Sequence, residues 1–341
     1  MTIIDSDVQD RLFNYIGQTR QIRQIHNFTK ITSGWENEVY LFDAEYDIEG
    51  KRNYEELVLR IYQGENVEGK AQREFKAMKR LHELRFPVPK VYTLETENHI
   101  FGNPFVIMEK INGQELWKVI DSANSDRKME LANQFCKIFV HLHSLDWRLL
   151  DFPQLPYNPK EPYGYINNLL SWVQGYADRF PESKPFQPIL DWLTDNYKSV
   201  PCERLSIVHW DYHPANLLLK DDGEAIVIDW TNVDIGDYRA DLAWTLLLVS
   251  SYGNPEGRDI VLKAYENIAG HKADGIEFYE VFALARRMFS MYISMTIGAD
   301  KLGMRAEAVE MMKSNSKHIK VLCKFLREKT GITIPEMERF I

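Results

Sequence analysis

Hydrophobic and polar residues follow two different rhythms along this chain, and the rhythm changes near residue 111. Before that point, residues 28–31, 38–42 and 56–62 are short runs rich in β-branched and aromatic side chains. They predict strands, broken by Ser33-Gly34 and by the polar stretch 47–53. From 67 to 84, Ala71, Phe75, Met78 and Leu81 recur at helical spacing, and Pro87 and Pro89 close the helix. Two more strands, 90–95 and 105–110, flank a Gly102-Asn103-Pro104 turn. The expected product is a small antiparallel sheet with one helix.

After Asn112-Gly113 the pattern is helical. Residues 126–144 place Leu131, Phe135, Ile138, Phe139 and Leu142 on one stripe, and 166–177, 186–197, 240–250, 258–269, 277–297 and 306–326 also read as helices. A strand-rich island, 205–229, interrupts them. The fold class expected is α+β: a β-rich lobe over residues 1–110 and a larger, mainly helical lobe over 111–341. Repeats, low-complexity tracts and long linkers are absent from the sequence.

Composition narrows the function classes. Over 341 residues, 45% hydrophobic and 27% charged content is that of a globular protein, not a disordered, collagenous or membrane chain. With 41 Lys and Arg against 50 Asp and Glu the net charge is −9, which disfavours non-specific nucleic-acid binding. Cys136, Cys202 and Cys323 form no CxxC pair and read as reduced thiols. The first ten residues lack the charge-then-apolar pattern of a signal peptide, and the most apolar run, 242–249, is too short to span a bilayer. A cytoplasmic protein with no membrane and no nucleic-acid partner is expected; the oligomeric state is open.

The chemistry concentrates in the island. Asp222-Gly223 is a turn signal between two apolar runs. A loop over 221–224 would pair Leu217 with Ile228 and Lys220 with Ala225, and would set Asn216 opposite Asp229. A carboxylate and an amide oxygen at the open end of a hairpin suit Mg²⁺, a hard cation that keeps water and phosphate among its ligands. Asp211, five residues before Asn216, would lie beside them. Taken singly, each of the three is an ordinary turn or cap residue; together they ask for a common explanation.

This segment resembles the aminoglycoside phosphotransferase and choline kinase superfamily, which shares the protein-kinase-like fold. Those proteins show His-Gly-Asp-x-His-x-x-Asn, an apolar hairpin, Ile-Asp-Trp and a Gly-Asp…Asp-Leu-Ala tail. This chain has His209-Trp210-Asp211-Tyr212-His213-Pro214-Ala215-Asn216, then Ile228-Asp229-Trp230, Gly236-Asp237 and Asp241-Leu242-Ala243. Trp210 stands where the family usually has Gly. The resemblance implies a phosphotransferase, using ATP or GTP with Mg²⁺ and a small-molecule acceptor. It makes Asp211 the base, Asn216 and Asp229 the metal ligands, and His209 and Asp241 supports of the catalytic loop. Phosphoryl transfer needs little else: metal on the phosphates, a carboxylate to position the hydroxyl and cationic support.

In the first lobe the resemblance makes Ser33, Gly34 and Asn37 a loop over the nucleotide, in place of a P-loop or GxGxxG. Arg60 takes the phosphate-binding position on the third strand, with Glu74 as its helix partner. Met108, Glu109 and Lys110 lie at the strand end where backbone groups would meet a purine. Three other readings stand beside this one. A catalytically weak or inactive nucleotide-binding protein would share the fold. A metallohydrolase would use His209, Asp211 and His213 as alternating ligands. A protein kinase would need Asp-Phe-Gly and Ala-Pro-Glu, which this sequence lacks. The acceptor, an aminoglycoside, amino alcohol or sugar, is not legible.

Overall fold

The computed structural model describes residues 3–31, 37–97, 100–152, 154–304, 308–314 and 316–341. The chain divides into two compact units. The first comprises residues 1–113 with 220–222 and 226–231; the second comprises 114–219, 223–225 and 232–341. Among the described residues, no helix is long and apolar enough to cross a membrane.

The first unit opens with helix α1 (Ile3–Gly17). Strands β1 (Ile22–Ile31), β2 (Glu38–Ile48), β3 (Lys51–Ile61), β4 (Val91–Glu95) and β5 (Phe105–Glu109) form an antiparallel sheet in the order β1-β2-β3-β5-β4. Alternate residues point the same way along a strand, so Tyr40, Phe42 and Ala44 of β2 and Leu57, Leu59 and Ile61 of β3 build one core with Leu12 and Ile16 of α1. Two features differ from the sequence expectation. Helix α1 was not anticipated, although Val8, Leu12, Tyr15 and Ile16 carry its spacing. The polar stretch 47–53 is no break: β2 and β3 stay paired to Ile48↔Lys51. They turn over Glu49 (φ 52°) and Gly50 (φ 75°), the doubly positive pair that matches strand twist.

Helix α2 (Val67–Glu83) buries Ala71, Glu74, Ala77, Met78 and Leu81. Phe75, expected on that stripe, is only partly buried, and Glu74 takes the inward position. A charged group there needs partners.

The second unit holds strand β6 (Gln114–Glu115), then α3 (Leu116–Ser122), α4 (Ser125–Ser144), α5 (Gly164–Arg179) and α6 (Gln187–Asn196). Strand β7 (Leu205–Val208) follows, then the hairpin strands β8 (Leu217–Leu219) and β9 (Ala225–Val227), within which the chain passes between units. Strand β10 (Asp234–Asp237), absent from the sequence reading, pairs antiparallel with β7 from Asp234↔Val208 to Asp237↔Leu205. Helices α7 (Tyr238–Leu248), α8 (Pro255–Ala269), α9 (Ile276–Ile297), α10 (Ala308–Ser314), α11 (Ser316–Thr330) and α12 (Pro335–Glu338) complete the chain. The side chain of Asp237 caps α7 by accepting the Arg239 N–H, a bond worth about 1 kcal/mol to a helix start. The run from Ala240 to Leu248 is buried on every side.

Candidate active site

The second unit presents its polar cluster through α7. Asp241, in the first turn and fully buried, accepts the backbone N–H of His209 at Oδ2 (2.6 Å) and of Trp210 at Oδ1 (2.7 Å). His143 Nε2 lies 3.2 Å from the same carboxylate. A negative charge at a helix N-terminus is favoured by the helix dipole. The two short bonds turn the chain sharply as it leaves β7, and Trp210 sits at φ 62°. For a residue with a Cβ this left-handed conformation costs about 1–2 kcal/mol. The buried His209 ring accepts the Asp211 N–H at Nδ1 (3.3 Å).

Asp211 follows, on display. Its Oδ1 accepts Trp244 Nε1 (3.2 Å) and its Oδ2 accepts Asn216 Nδ2 (3.1 Å), with His213 Nε2 at 3.6 Å. Trp244 lies three residues after Asp241, so the helix aims both at one loop. Desolvation pushes the Asp211 carboxyl up, but His213, Trp244 and His209 together outweigh it and hold the group well below the usual carboxylate range. Asn216 ends the turn Pro214–Asn216, and its Nδ2 donates to both Asp211 O (2.9 Å) and Oδ2. With the amide nitrogen so held, its oxygen faces elsewhere.

The first unit holds a second cluster. Arg60, on β3, places Nη1 2.9 Å from Glu74 Oε1, 2.9 Å from Asp229 Oδ1 and 2.7 Å from Thr231 Oγ1. Glu74 also accepts from the Tyr62 hydroxyl (2.5 Å) and the Thr231 hydroxyl (3.3 Å). Burial works against the Arg60 charge, but Glu74 and Asp229 outweigh it and raise its pKa further. For Glu74 the balance reverses: burial raises its pKa and Arg60 only partly offsets that. Arg60 Nε is buried with no hydrogen-bond partner among the described residues. Asp229 is reached through a left-handed residue of its own (φ 63°), next to fully buried Trp230, whose indole donates to Val227 O (2.9 Å).

The structure thus brings His209, Asp211, Asn216 and Asp241 together in one unit, and Arg60, Glu74 and Asp229 together in the other. Asn216 and Asp229 are not the opposed hairpin residues that the turn at Asp222-Gly223 predicts. Strand β8 begins after Asn216 and β9 ends two residues before Asp229, so neither residue lies on the ladder. The 3-10 turn and the left-handed Asp229 break the extended backbone first. Ser33 and Gly34 lie outside the described residues. Asn37 is buried and its Oδ1 accepts the Gln63 N–H (3.2 Å). Met108 pairs across β5 with Val58 and Val91. The N–H groups of Glu109 and Lys110 already donate to Lys90 O (2.8 Å) and Glu56 O (3.1 Å), so they are not available to a base while this sheet edge stands. Among the described residues no group of three or more His, Cys, Asp and Glu could hold a metal ion, and the His209 ring is turned inward. Sequence reasoning missed Thr231, Tyr62, Trp244 and Arg286, whose guanidinium carbon lies 4.1 Å from the centre of the Trp244 ring. The Arg286-Arg287 pair inside the apolar 277–297 stretch was the available signal.

Residues 27–278 match the sequence model of the phosphotransferase enzyme family. The chain belongs to that family. A glycine at position 210 would take the left-handed backbone without strain, and Trp210 does not. The fold is the kinase-like one. A structure from Ralstonia eutropha, provisionally named an aminoglycoside phosphotransferase, superposes with a TM-score of 0.65 at 18% identity, covering 97% of this chain and 98% of that one. An aminoglycoside phosphotransferase of the 2″ type, solved with GDP and kanamycin, gives 0.58 at 17% identity, covering 86% and 94%. Among curated sequences, a probable acyl-CoA dehydrogenase of Arabidopsis thaliana is 26% identical over an alignment of 194 residues that covers 51% of this chain. The chain spans about a fifth (22%) of that relative's length.

Proposed function

We propose that this chain is a phosphotransferase that moves the γ-phosphoryl group of ATP or GTP to a hydroxyl of a small molecule, with Asp211 as the base that orients that hydroxyl. The observation that carries the reading is the fixation of Asp211: a carboxylate kept ionised by neutral donors and a nearby imidazole, on a loop pinned by Asp241. Arg60, with an unspent Nε donor and a buried Glu74 to steady it, suits the phosphates. Asn216 and Asp229 fit Mg²⁺ by donor type: an amide oxygen left over when its nitrogen is engaged, and a carboxylate whose side chain is 42% exposed. Magnesium, when bound with nucleotide, neutralises charge on the phosphates. A neighbour solved with GDP keeps GTP beside ATP.

Asp211→Asn tests the base. It keeps the shape and removes the charge. Nucleotide affinity, by titration calorimetry, should stay within about a factor of three, under 1 kcal/mol. Turnover should fall at least ~10²-fold, the low end of general-base contributions. Normal turnover in this variant would remove the role from Asp211. Joint loss of affinity and turnover would move Asp211 to the metal.

A further inference from the structure

Helix α9 is buried along most of its length, and Arg286 is one of the two arginines set into it. Its guanidinium carbon lies 4.1 Å from the centre of the Trp244 ring and 5.0 Å from that of Trp210. Among the described residues its one hydrogen bond is a long one, Nη1 to Trp210 O at 3.4 Å, and no carboxylate oxygen comes within 4.0 Å of it. A guanidinium carries five N–H donors and stays charged. Here aromatic rings take its faces, while its polar edge is left almost unspent. Desolvation pulls its pKa down from the ordinary value, and the more distant charges of Asp211 and Asp241 do not make up the difference.

The same two indoles tie Arg286 to the acceptor chemistry. Trp244 Nε1 donates to Asp211 Oδ1, and Trp210 immediately precedes Asp211 on the loop. Trp210 also keeps a strained left-handed backbone that glycine would relieve, and its ring contacts Phe282 (6.3 Å between centroids) one turn before Arg286. A costly backbone kept beside a functional group invites a functional reason. A stacked guanidinium with its edge open matches a planar pair of oxygens.

We propose that Arg286 binds an oxyanion, a carboxylate or a phosphate, on the same molecule as the hydroxyl that Asp211 orients. The inference rests on the reading of Asp211 given above and deepens it. It makes the acceptor a hydroxy acid or a phosphorylated alcohol, not a cationic amino sugar such as the kanamycin bound by one neighbour. Trp210 and Trp244 act as positioning residues that hold the guanidinium in place.

The test uses four acceptors on one carbon frame: glycerate, glycerol 3-phosphate, glycerol and 2-amino-1,3-propanediol. Indole fluorescence follows their binding to the full chain saturated with a non-hydrolysable nucleotide and Mg²⁺, and nucleotide consumption follows transfer. Glycerate or glycerol 3-phosphate should bind at least tenfold more tightly than the other two, and which of them does so separates carboxylate from phosphate. Arg286→Gln should raise KM for that anion at least tenfold with kcat changed less than threefold, at an unchanged melting temperature. Arg286→Lys should recover part of the loss. Two results overturn the inference: a preference for glycerol or the amine, or an equal drop in kcat for every acceptor and for water, which would make Arg286 only a counter-charge to Asp211. Either result, with nucleotide bound and consumed, leaves the phosphotransferase reading standing. A parent protein that binds no nucleotide refutes both.

Discussion

Arg60 gives one nitrogen to three oxygens, and what happens on its removal follows from that. Arg60→Ala leaves Glu74 buried beside Tyr62 and Thr231 without a cation, and breaking a buried pair from one side costs about 3–5 kcal/mol. Thermal unfolding should therefore drop by several degrees. Measured below that transition, nucleotide affinity should fall by about 1.5–3 kcal/mol, the range for a charged hydrogen bond. Arg60→Lys should restore part of both, because charge returns without the planar fork. If both variants bind nucleotide as the parent does, Arg60 has no contact with the phosphates. Arg60 was legible through the resemblance, which sets a phosphate-binding cation on the third strand, and residues 57–61 offer one there. Thr231 was not legible: a hydroxyl two residues after Asp229 looks like any loop threonine until the chain turns it onto Glu74.

At the scale of elements, helix α7 sets the loop after β7 from two sides. Asp241 holds the N–H groups of His209 and Trp210, and Trp244 holds the carboxylate of Asp211. Asp241→Asn keeps the volume but turns a twofold charged acceptor into a group with one acceptor oxygen. Unfolding in urea should show a loss of about 1.5–3 kcal/mol. Turnover should drop more than nucleotide affinity, since Asp211 loses its placement. A variant as stable and as active as the parent would show that the β7–β10 pairing alone sets the loop. Strand β10 explains part of what the sequence concealed. Its Asp234-Ile235-Gly236-Asp237 has one apolar residue in four, so no alternation announces it, yet tertiary pairing with the fully buried β7 makes it a strand. Helices were easier to see, because stripes such as Leu131, Phe135, Phe139 and Leu142 of α4 are set by burial of one face. The reach of the guanidinium from α9 to the indoles of Trp210 and Trp244 depends on packing between distant segments, which periodicity does not encode.

For the molecule as a whole, His318 is a stability sensor. It is fully buried, stacks on Tyr252 (4.3 Å between centroids) and accepts from Arg287 Nε (3.1 Å). Burial, then the charge of Arg287, pushes its pKa down to about 3. The unfolded chain takes up a proton at His318 below about pH 6.5, while the folded one stays neutral. Stability present above that value is therefore lost as pH falls toward 3, by about 1.4 kcal/mol per unit. Between pH 7.5 and 5 the parent should lose about 2 kcal/mol more than His318→Gln in urea unfolding. Equal losses would show that His318 titrates normally.

The first unit is closed by residues 226–231, which lie far along the chain from residues 1–113. This spacing has a consequence in time. A ribosome adds about 5–20 residues per second, so Asp229 and Thr231 follow residue 113 by roughly 6 to 24 s. For that interval Arg60 and Glu74 exist without two of their partners, and Phe86 waits for Trp230 to pack edge-on against it (5.7 Å between centroids). A nascent chain at this stage exposes the apolar seat of Trp230 to chaperones and proteases. Amide hydrogen exchange on a fragment of residues 1–113 should show weak protection in α2, with Glu74 at its centre. Native protection there would mean that the sheet and α1 secure the helix before the second unit is made.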